Sequence, residues 1–162
     1  MKQIAKNNLA VIVFLLLTLL GSSCGEREAY YQFRELKNGD WAIDETLFFE
    51  IDSTALQPNV PYDISIELTN NMDYPYRNLW ISMKVVEEDS IATEKDKEFI
   101  LADKYAKWLG AGFASLFQTS HAVNKGLVLD KRKNFKVYIN HKMQDQKLHG
   151  IEKIGIKIKK EQ

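Results

Sequence analysis

The chain has 162 residues, 45% of them hydrophobic and 11% aromatic, with 22 Lys+Arg against 22 Asp+Glu and a single cysteine, Cys24. That length carries one domain with its own core and is short for two. Balanced charge gives no basic footprint for nucleic acid, and a lone cysteine excludes an internal disulfide or a thiolate metal cluster.

The chain opens with the basic stretch Met1-Lys2-Gln3-Ile4-Ala5-Lys6. Twelve uncharged residues, Leu9 to Leu20, follow, and Gly21-Ser22-Ser23 leads into Cys24. Basic, apolar and small in that order predicts a secretory signal over residues 1–23. As a helix the apolar run is about 18 Å long, short of the ~30 Å bilayer core, so it predicts no transmembrane span. A cysteine directly after small residues resembles the lipobox of bacterial lipoproteins, although Gly21 stands where that pattern prefers Leu. The resemblance implies cleavage before Cys24 and acyl chains, palmitate among them, on that residue. One chain binds marginally and two or more anchor stably. The alternative is an ordinary signal with an incidental cysteine. Cleavage leaves 139 residues and removes Lys2 and Lys6, so 20 basic residues face 22 acidic ones. An exported domain without disulfides is then stabilised by its core.

Residues 24–29 read as a tether and 30–162 as one domain. Tyr30 to Leu36 and Thr46 to Ile51 predict weak strands. From Tyr62 to Asn70, Ile64, Ile66 and Leu68 alternate with Asp63, Ser65, Glu67 and Thr69, the period of a strand with one wet face. A loop of turn formers, Asn70 to Asn78, follows. Leu79, Ile81, Met83 and Val85 then alternate with Trp80, Ser82, Lys84 and Val86. These two strands either form a hairpin or cross between two sheets. Glu87 to Glu98 holds six acids and two lysines and reads as a solvated loop. Asp103 to Thr119 reads as a short helix or a Gly-rich loop packed on the sheets. Residues 121–129 hold a further strand. Phe135, Val137, Ile139, His141 and Met143 give the next one. Gln144 to Gly150 reads as one turn with a glycine stop. The last strand puts Ile154, Ile156 and Ile158 on one face and Lys153, Lys157 and Lys159 on the other. About seven short strands with little helix predict an all-β fold, an antiparallel β-sandwich that is Ig-like or jelly-roll-like. A closed barrel is the alternative.

Several pieces resemble the GldH family, gliding-motility-associated lipoproteins of the Bacteroidetes. They are Cys24, the segment Tyr31 to Trp41, the loop Asn71-Met72-Asp73-Tyr74-Pro75-Tyr76-Arg77-Asn78-Leu79, and Trp108-Leu109-Gly110-Ala111-Gly112. They continue with His141-Lys142-Met143, Leu148-His149-Gly150-Ile151 and Ile154-Gly155. Asp-Tyr-Pro-Tyr-x-Asn-Leu is the most specific of them. The sequence departs from the family at Thr69 and Lys142, where relatives tend to carry a basic residue and Arg. The resemblance implies an envelope lipoprotein acting with other Gld proteins in gliding and type IX secretion, facing the periplasm or set in the outer membrane. It implies no reaction.

Candidate contact residues are Asp73, Tyr74, Tyr76, Arg77, Trp80 and Trp108. Aromatics with Arg and Asp in one loop suit a protein interface or stacking on a sugar. Equally, Asp73 caps the turn and the tyrosines pack over the sandwich end. Trp80 has outward parity and is exposed, unless the 103–119 segment covers it. Trp108 with Gly110 and Gly112 lines a pocket or covers the core. His121, His141 and His149 carry no metal or triad pattern, and His141, inward by parity, is expected to find a hydrogen-bond partner near a sheet end. No phosphate loop or nucleophile elbow occurs, so no cofactor, metal or enzyme activity is expected. From Lys125 to Gln162, eleven Lys/Arg against four acids suggest lysines on an edge strand that block aggregation, or a basic face toward anionic lipid. The expected function is a non-enzymatic accessory lipoprotein acting through protein contacts. A glycan- or peptide-binding module is the alternative.

Overall fold

The structure, a computed structural model, describes residues 28–52, 54–87, 90–129 and 132–161. The segment read as a signal peptide, Cys24 and most of the stretch read as a tether lie outside these. Among the described residues there are eleven strands and one 3-10 turn, Lys37–Gly39. The strands are β1 (Tyr30–Glu35), β2 (Asp40–Ala42), β3 (Leu47–Ile51), β4 (Pro61–Asn71), β5 (Asn78–Glu87) and β6 (Ser90–Ile100). They continue with β7 (Ala111–Phe113), β8 (Leu116–Val128), β9 (Phe135–His141), β10 (Lys147–His149) and β11 (Ile151–Lys160). A five-stranded sheet runs β1-β11-β4-β8-β7 and a four-stranded sheet β3-β9-β5-β6, and β10 pairs with β2 as a ribbon. All pairings are antiparallel.

Alternation explains the sandwich. Phe49, Val137, Ile139, Leu79 and Ile81 face Ile66, Leu68, Ile154 and Ile156 in one continuous core. Each such side chain contributes ~1.5–3 kcal/mol by leaving water. The β2–β10 ribbon closes one end with Trp41 and Leu148, both fully buried. One side of the sandwich is latched by Arg34, whose Nε donates to Phe48 O at 2.8 Å while its guanidinium sits 5.1 Å from the Phe49 ring centre.

The all-β expectation holds, with particular corrections. β4 and β5 belong to different sheets, so the 72–77 loop crosses between sheets and is no hairpin. The acidic stretch is strand β6, paired with β5 from Asn78↔Ile100 to Glu87↔Ser90. Its charges mislead because an edge strand can leave alternate residues in water. Residues 103–119 contain no helix but β7 and the start of β8, and Gln144 to Gly150 contains β10. The C-terminal lysines do not guard an edge, because β11 lies between β1 and β4. The outer face of β4 is also drier than its alternation suggests, for Glu67 and Thr69 are buried. Phe33 lies across from Gly155, and a Cβ there would meet its ring at 2.6 Å. Only glycine lets the ring settle onto the sheet beside Glu67.

Candidate functional site

The pairing register fixes two ends. Ala29 N donates to Ile158 O at 2.8 Å, and Tyr30 pairs with Ile158. The chain therefore enters at the end of the sandwich where β11 finishes. The opposite end holds Asn71, Gly150 and the 3-10 turn, and it gathers nearly all the sequence pieces singled out above. Asn71 N donates to Gly150 O at 2.9 Å, and Gly150 N to Gly39 O at 2.8 Å. Gly150 has φ +85°, and a Cβ on it would lie 2.4 Å from Tyr74 N. One residue without a side chain thus lets three loops meet.

Around this point four aromatic rings pack in a row, the Tyr74–Tyr76 pair edge-on and the others tilted. Tyr74 and Tyr76 are 5.8 Å apart at 72°, Trp108 lies 6.4 Å from Tyr74, and Phe117 lies 5.8 Å from Trp108. Tyr74 is buried, and its OH donates to Asn78 O at 2.8 Å. Burial raises its pKa above the ordinary phenol value, with Tyr76 and Asp145 adding to the rise. Tyr76 OH donates to Asp145 Oδ2 at 2.6 Å, a bond that holds the phenol protonated. The loop's turn is capped by Asn71 and not by Asp73. Asn71 Oδ1 accepts from Asp73 N at 2.8 Å, while its Nδ2 donates to Glu152 Oε1 at 2.7 Å. Asn71→Ala is expected to cost about 1–2 kcal/mol through these two bonds, read as a lower urea midpoint at unchanged slope.

Of the predicted contact residues, Tyr74, Tyr76 and Trp108 come together, as cover over the core. Asp73 and Arg77 are exposed on the same loop. The Arg77 carbonyl accepts from Leu101 N and Ala102 N at 2.8 and 3.1 Å and so ties the loop to the 101–110 segment. Trp80 stands apart, 41% exposed on the outer face of the four-stranded sheet. The 103–119 segment does not bury it. Gly110 leaves no pocket, since a Cβ there would meet Gln118 O at 2.7 Å.

Sequence reasoning missed the exposed apolar rim of this end. Met72 is 67% exposed, Tyr105 79% and Phe113 87%. Phe113 pairs with Leu116, and Leu116 with Asn71, next to Met72. Tyr105 lies on the 101–110 segment that Arg77 O ties to the same loop. Gly112 and Ser115 allow a tight turn around Ala114, but nothing local tells which way Phe113 and Leu116 point, and only the paired register sets them outside.

His141 is buried on the inner face against Trp41, 5.4 Å ring to ring. Contrary to expectation, neither ring nitrogen makes a hydrogen bond of full geometry among the described residues, although the Trp41 backbone lies close enough to act on the ring. Burial lowers its pKa, and the Trp41 backbone and Asp145 offset part of that. His149 is exposed and meets Asp40 Oδ1 at 2.5 Å. Among the described residues no three of His, Cys, Asp and Glu gather to hold a metal ion.

Comparison with known proteins gives a family. The profile of the GldH lipoprotein family matches residues 28–158. A gliding motility lipoprotein GldH homolog from Christiangramia forsetii is 25% identical over 158 residues, covering 93% of this chain and 95% of that protein. The gliding motility lipoprotein GldH of Flavobacterium johnsoniae is 22% identical, covering 90% and 93%. Among solved structures, the insecticidal delta-endotoxin Cry8Ea1 of Bacillus thuringiensis aligns with TM-score 0.37 and 9% identity, over 72% of this chain and 18% of that one. So loose a likeness carries no argument.

Proposed function

This chain belongs to the GldH lipoprotein family, and from that premise we propose that it works as a membrane-anchored contact protein of the cell envelope. Acyl chains on Cys24 hold it at a membrane, periplasm-facing or outer. The end of the sandwich away from the tether meets proteins of the gliding and type IX secretion apparatus. The reading involves no catalysis. What supports it most is the coincidence of two surfaces: the sequence pieces shared with the family converge on the end opposite the tether, and that same end carries the exposed rim of Met72, Tyr105 and Phe113. Interfaces are enriched in Met and aromatic residues. Anchoring confines the search for a partner to the membrane plane and raises effective concentration. The glycan or peptide alternative needs open rings in the loop, and the burial of Tyr74 disfavours it.

Complementation of a deletion strain tests both halves. Cys24→Ala is expected to release the protein from membranes and abolish gliding or secretion. Met72→Lys, Tyr105→Ser and Phe113→Ser together should leave the protein folded and anchored, because isolated surface changes cost within ±0.5 kcal/mol each, yet fail to complement. Val128→Ser, exposed near the tether end, is the control and should complement fully. Full function of a soluble Cys24→Ala protein would exclude the anchor, and full function of the triple variant would exclude the rim.

A further inference from the structure

The two sheets are sealed against each other along most of their length, but not where the chain enters. On the side opposite the Arg34 latch, β6 ends the four-stranded sheet, and β8 runs past three-residue β7 as the border of the other. Near the distal end these borders are joined. Phe99 of β6 stacks on His121 of β8 at 4.4 Å and 14°. Lys97 Nζ donates to Ala122 O and Val123 O at 3.4 and 3.3 Å. Beyond Lys97 the inward positions of β6 become Lys95 and Thr93, cross-strand from Met83 and Val85. Behind them lies a cavity of about 210 Å³ between the sheets, open toward solvent. Ile64, Ile66, Ile156, Val85, Val137 and Leu127 supply its apolar walls, with Lys95, Thr93, Asn124 and Glu87 as polar residues, the Glu87 carboxylate being held in an ion pair by Lys133.

An apolar cavity of about 150 Å³ suffices to hold benzene, so this one accommodates a longer stretch of hydrocarbon. Its place in the fold narrows the occupant. Ile158 also lines it, and Ile158 O receives Ala29 N. Glu28 stands four positions after Cys24, a chain length of at most ~14 Å. The open end of the sandwich thus faces the side from which the anchor leaves. Lys95 supplies a cation where a headgroup would lie.

We propose that this inter-sheet cavity takes one acyl chain of an anionic phospholipid drawn from the membrane beneath, with the phosphate beside Lys95. The source of the lipid rests on the anchor reading above. The capacity of the cavity for an acyl chain does not.

The test uses full-length acylated protein in phosphatidylethanolamine vesicles doped with phosphatidylglycerol that carries a diazirine in one acyl chain. After illumination, labelled peptides are mapped by mass spectrometry. The expected result is label on the cavity-lining segments of β8 and β5, around Val123, Leu127 and Val85. Val123→Trp, which fills the cavity, should abolish that label. Lys95→Glu leaves the core untouched and should reduce it about tenfold, equivalent to ~1.4 kcal/mol. Thermal melts of both variants check folding, and if the tryptophan variant unfolds, the Lys95 variant still decides. Label confined to the N-terminal segment or the outer surface overturns the proposal. So does undiminished labelling in the folded variants, or a cavity closed to the probe because the protein's own acyl chain fills it. So does an absence of label, which would leave Lys95 and Lys97 as inward charges that blunt a sheet edge. The mass of the native N-terminal peptide separately reports whether Cys24 is acylated, so failure of the anchor is distinguishable from failure of the cavity.

Discussion

Gly150→Ala is expected to destabilise the protein by about 3 kcal/mol or more, a fall in Tm of about 10 °C. Two costs coincide at this residue. Its φ of +85° is a conformation that L side chains rarely adopt, which alone costs about 1–2 kcal/mol. The new Cβ would also sit 2.4 Å from Tyr74 N, 2.7 Å from Tyr74 Cα and 2.8 Å from Asn71 Oδ1. Two of those atoms are backbone, so the conflict cannot be relieved by a rotamer change. The 72–77 loop must move, and Tyr74 must leave its place over the core. Gly126→Ala separates the two costs. Gly126 has φ +61°, but its Cβ would meet only the Glu161 carboxylate, at 3.1 Å, the end of a flexible side chain. It should lose only about 1 kcal/mol. Equal losses in thermal melts of the two variants would show that backbone approach at Gly150 has no special weight. A folded Gly150→Ala protein should also fail to complement, because the loop that frames the distal rim is displaced.

The same residue shows how far sequence reaches. Gln144 to Gly150 reads as one turn with a glycine stop, whereas the structure puts strand β10 there and uses Gly150, at positive φ, as the bend between β10 and β11. That it would also touch Tyr74, 76 positions away, is not legible, since no local pattern reports which loops meet at a sandwich end. Strands β4, β5, β9 and β11 are readable because their inner residues alternate cleanly, whereas β1 and β3 give only a weak signal. β6 is not readable. Its inward positions near the open end are Lys97, Lys95 and Thr93, so alternation gives way to charge where the sheets part. The contact loop was readable as a loop with aromatic cargo. Which rings face inward was not, because burial of Tyr74 depends on Trp108 and Phe117 from other parts of the chain. Met72 and Phe113 look like core residues by composition, and only their position at strand ends turns them outward.

Glu67 is the second position where a large effect is expected, and there the cause is electrostatic. It is buried on the outer face of the five-stranded sheet. Its carboxylate accepts from Ser120 Oγ at 2.5 Å, Ser65 Oγ at 3.0 Å and Gln118 Nε2 at 3.2 Å, and pairs with Lys157 Nζ at 2.8 Å. Burial alone would raise its pKa. The bonds from Lys157, Ser120 and Gln118 together outweigh burial and lower it. Glu67→Ala should therefore cost about 2–3 kcal/mol, since Ser120 and Gln118 lose an ionised acceptor while Lys157 retains partial access to water. Glu67→Gln keeps some acceptors and should cost about half as much. The sign of the pH dependence follows from linkage. A carboxylate with a depressed folded pKa contributes fully above its unfolded value, about 4.3, and that contribution is lost as pH falls through the folded value. His121 and His141 are likewise depressed by burial. Their contribution is complete above the unfolded imidazole value of about 6.5 and fades as pH drops through their folded values. The wild-type urea midpoint should thus decline in two stages on acidification, first below about pH 6.5 and again below about pH 4.3. Glu67→Gln should shrink the second stage, leaving the part that Asp40, Asp52 and Asp103, whose carboxyls hydrogen bonds also hold below the ordinary value, contribute. It should also steepen the first slightly, because the Glu67 charge counteracts the lowering at His121. A second stage of unchanged size in Glu67→Gln would assign the acid sensitivity to other carboxylates and leave the Glu67 cluster as packing alone.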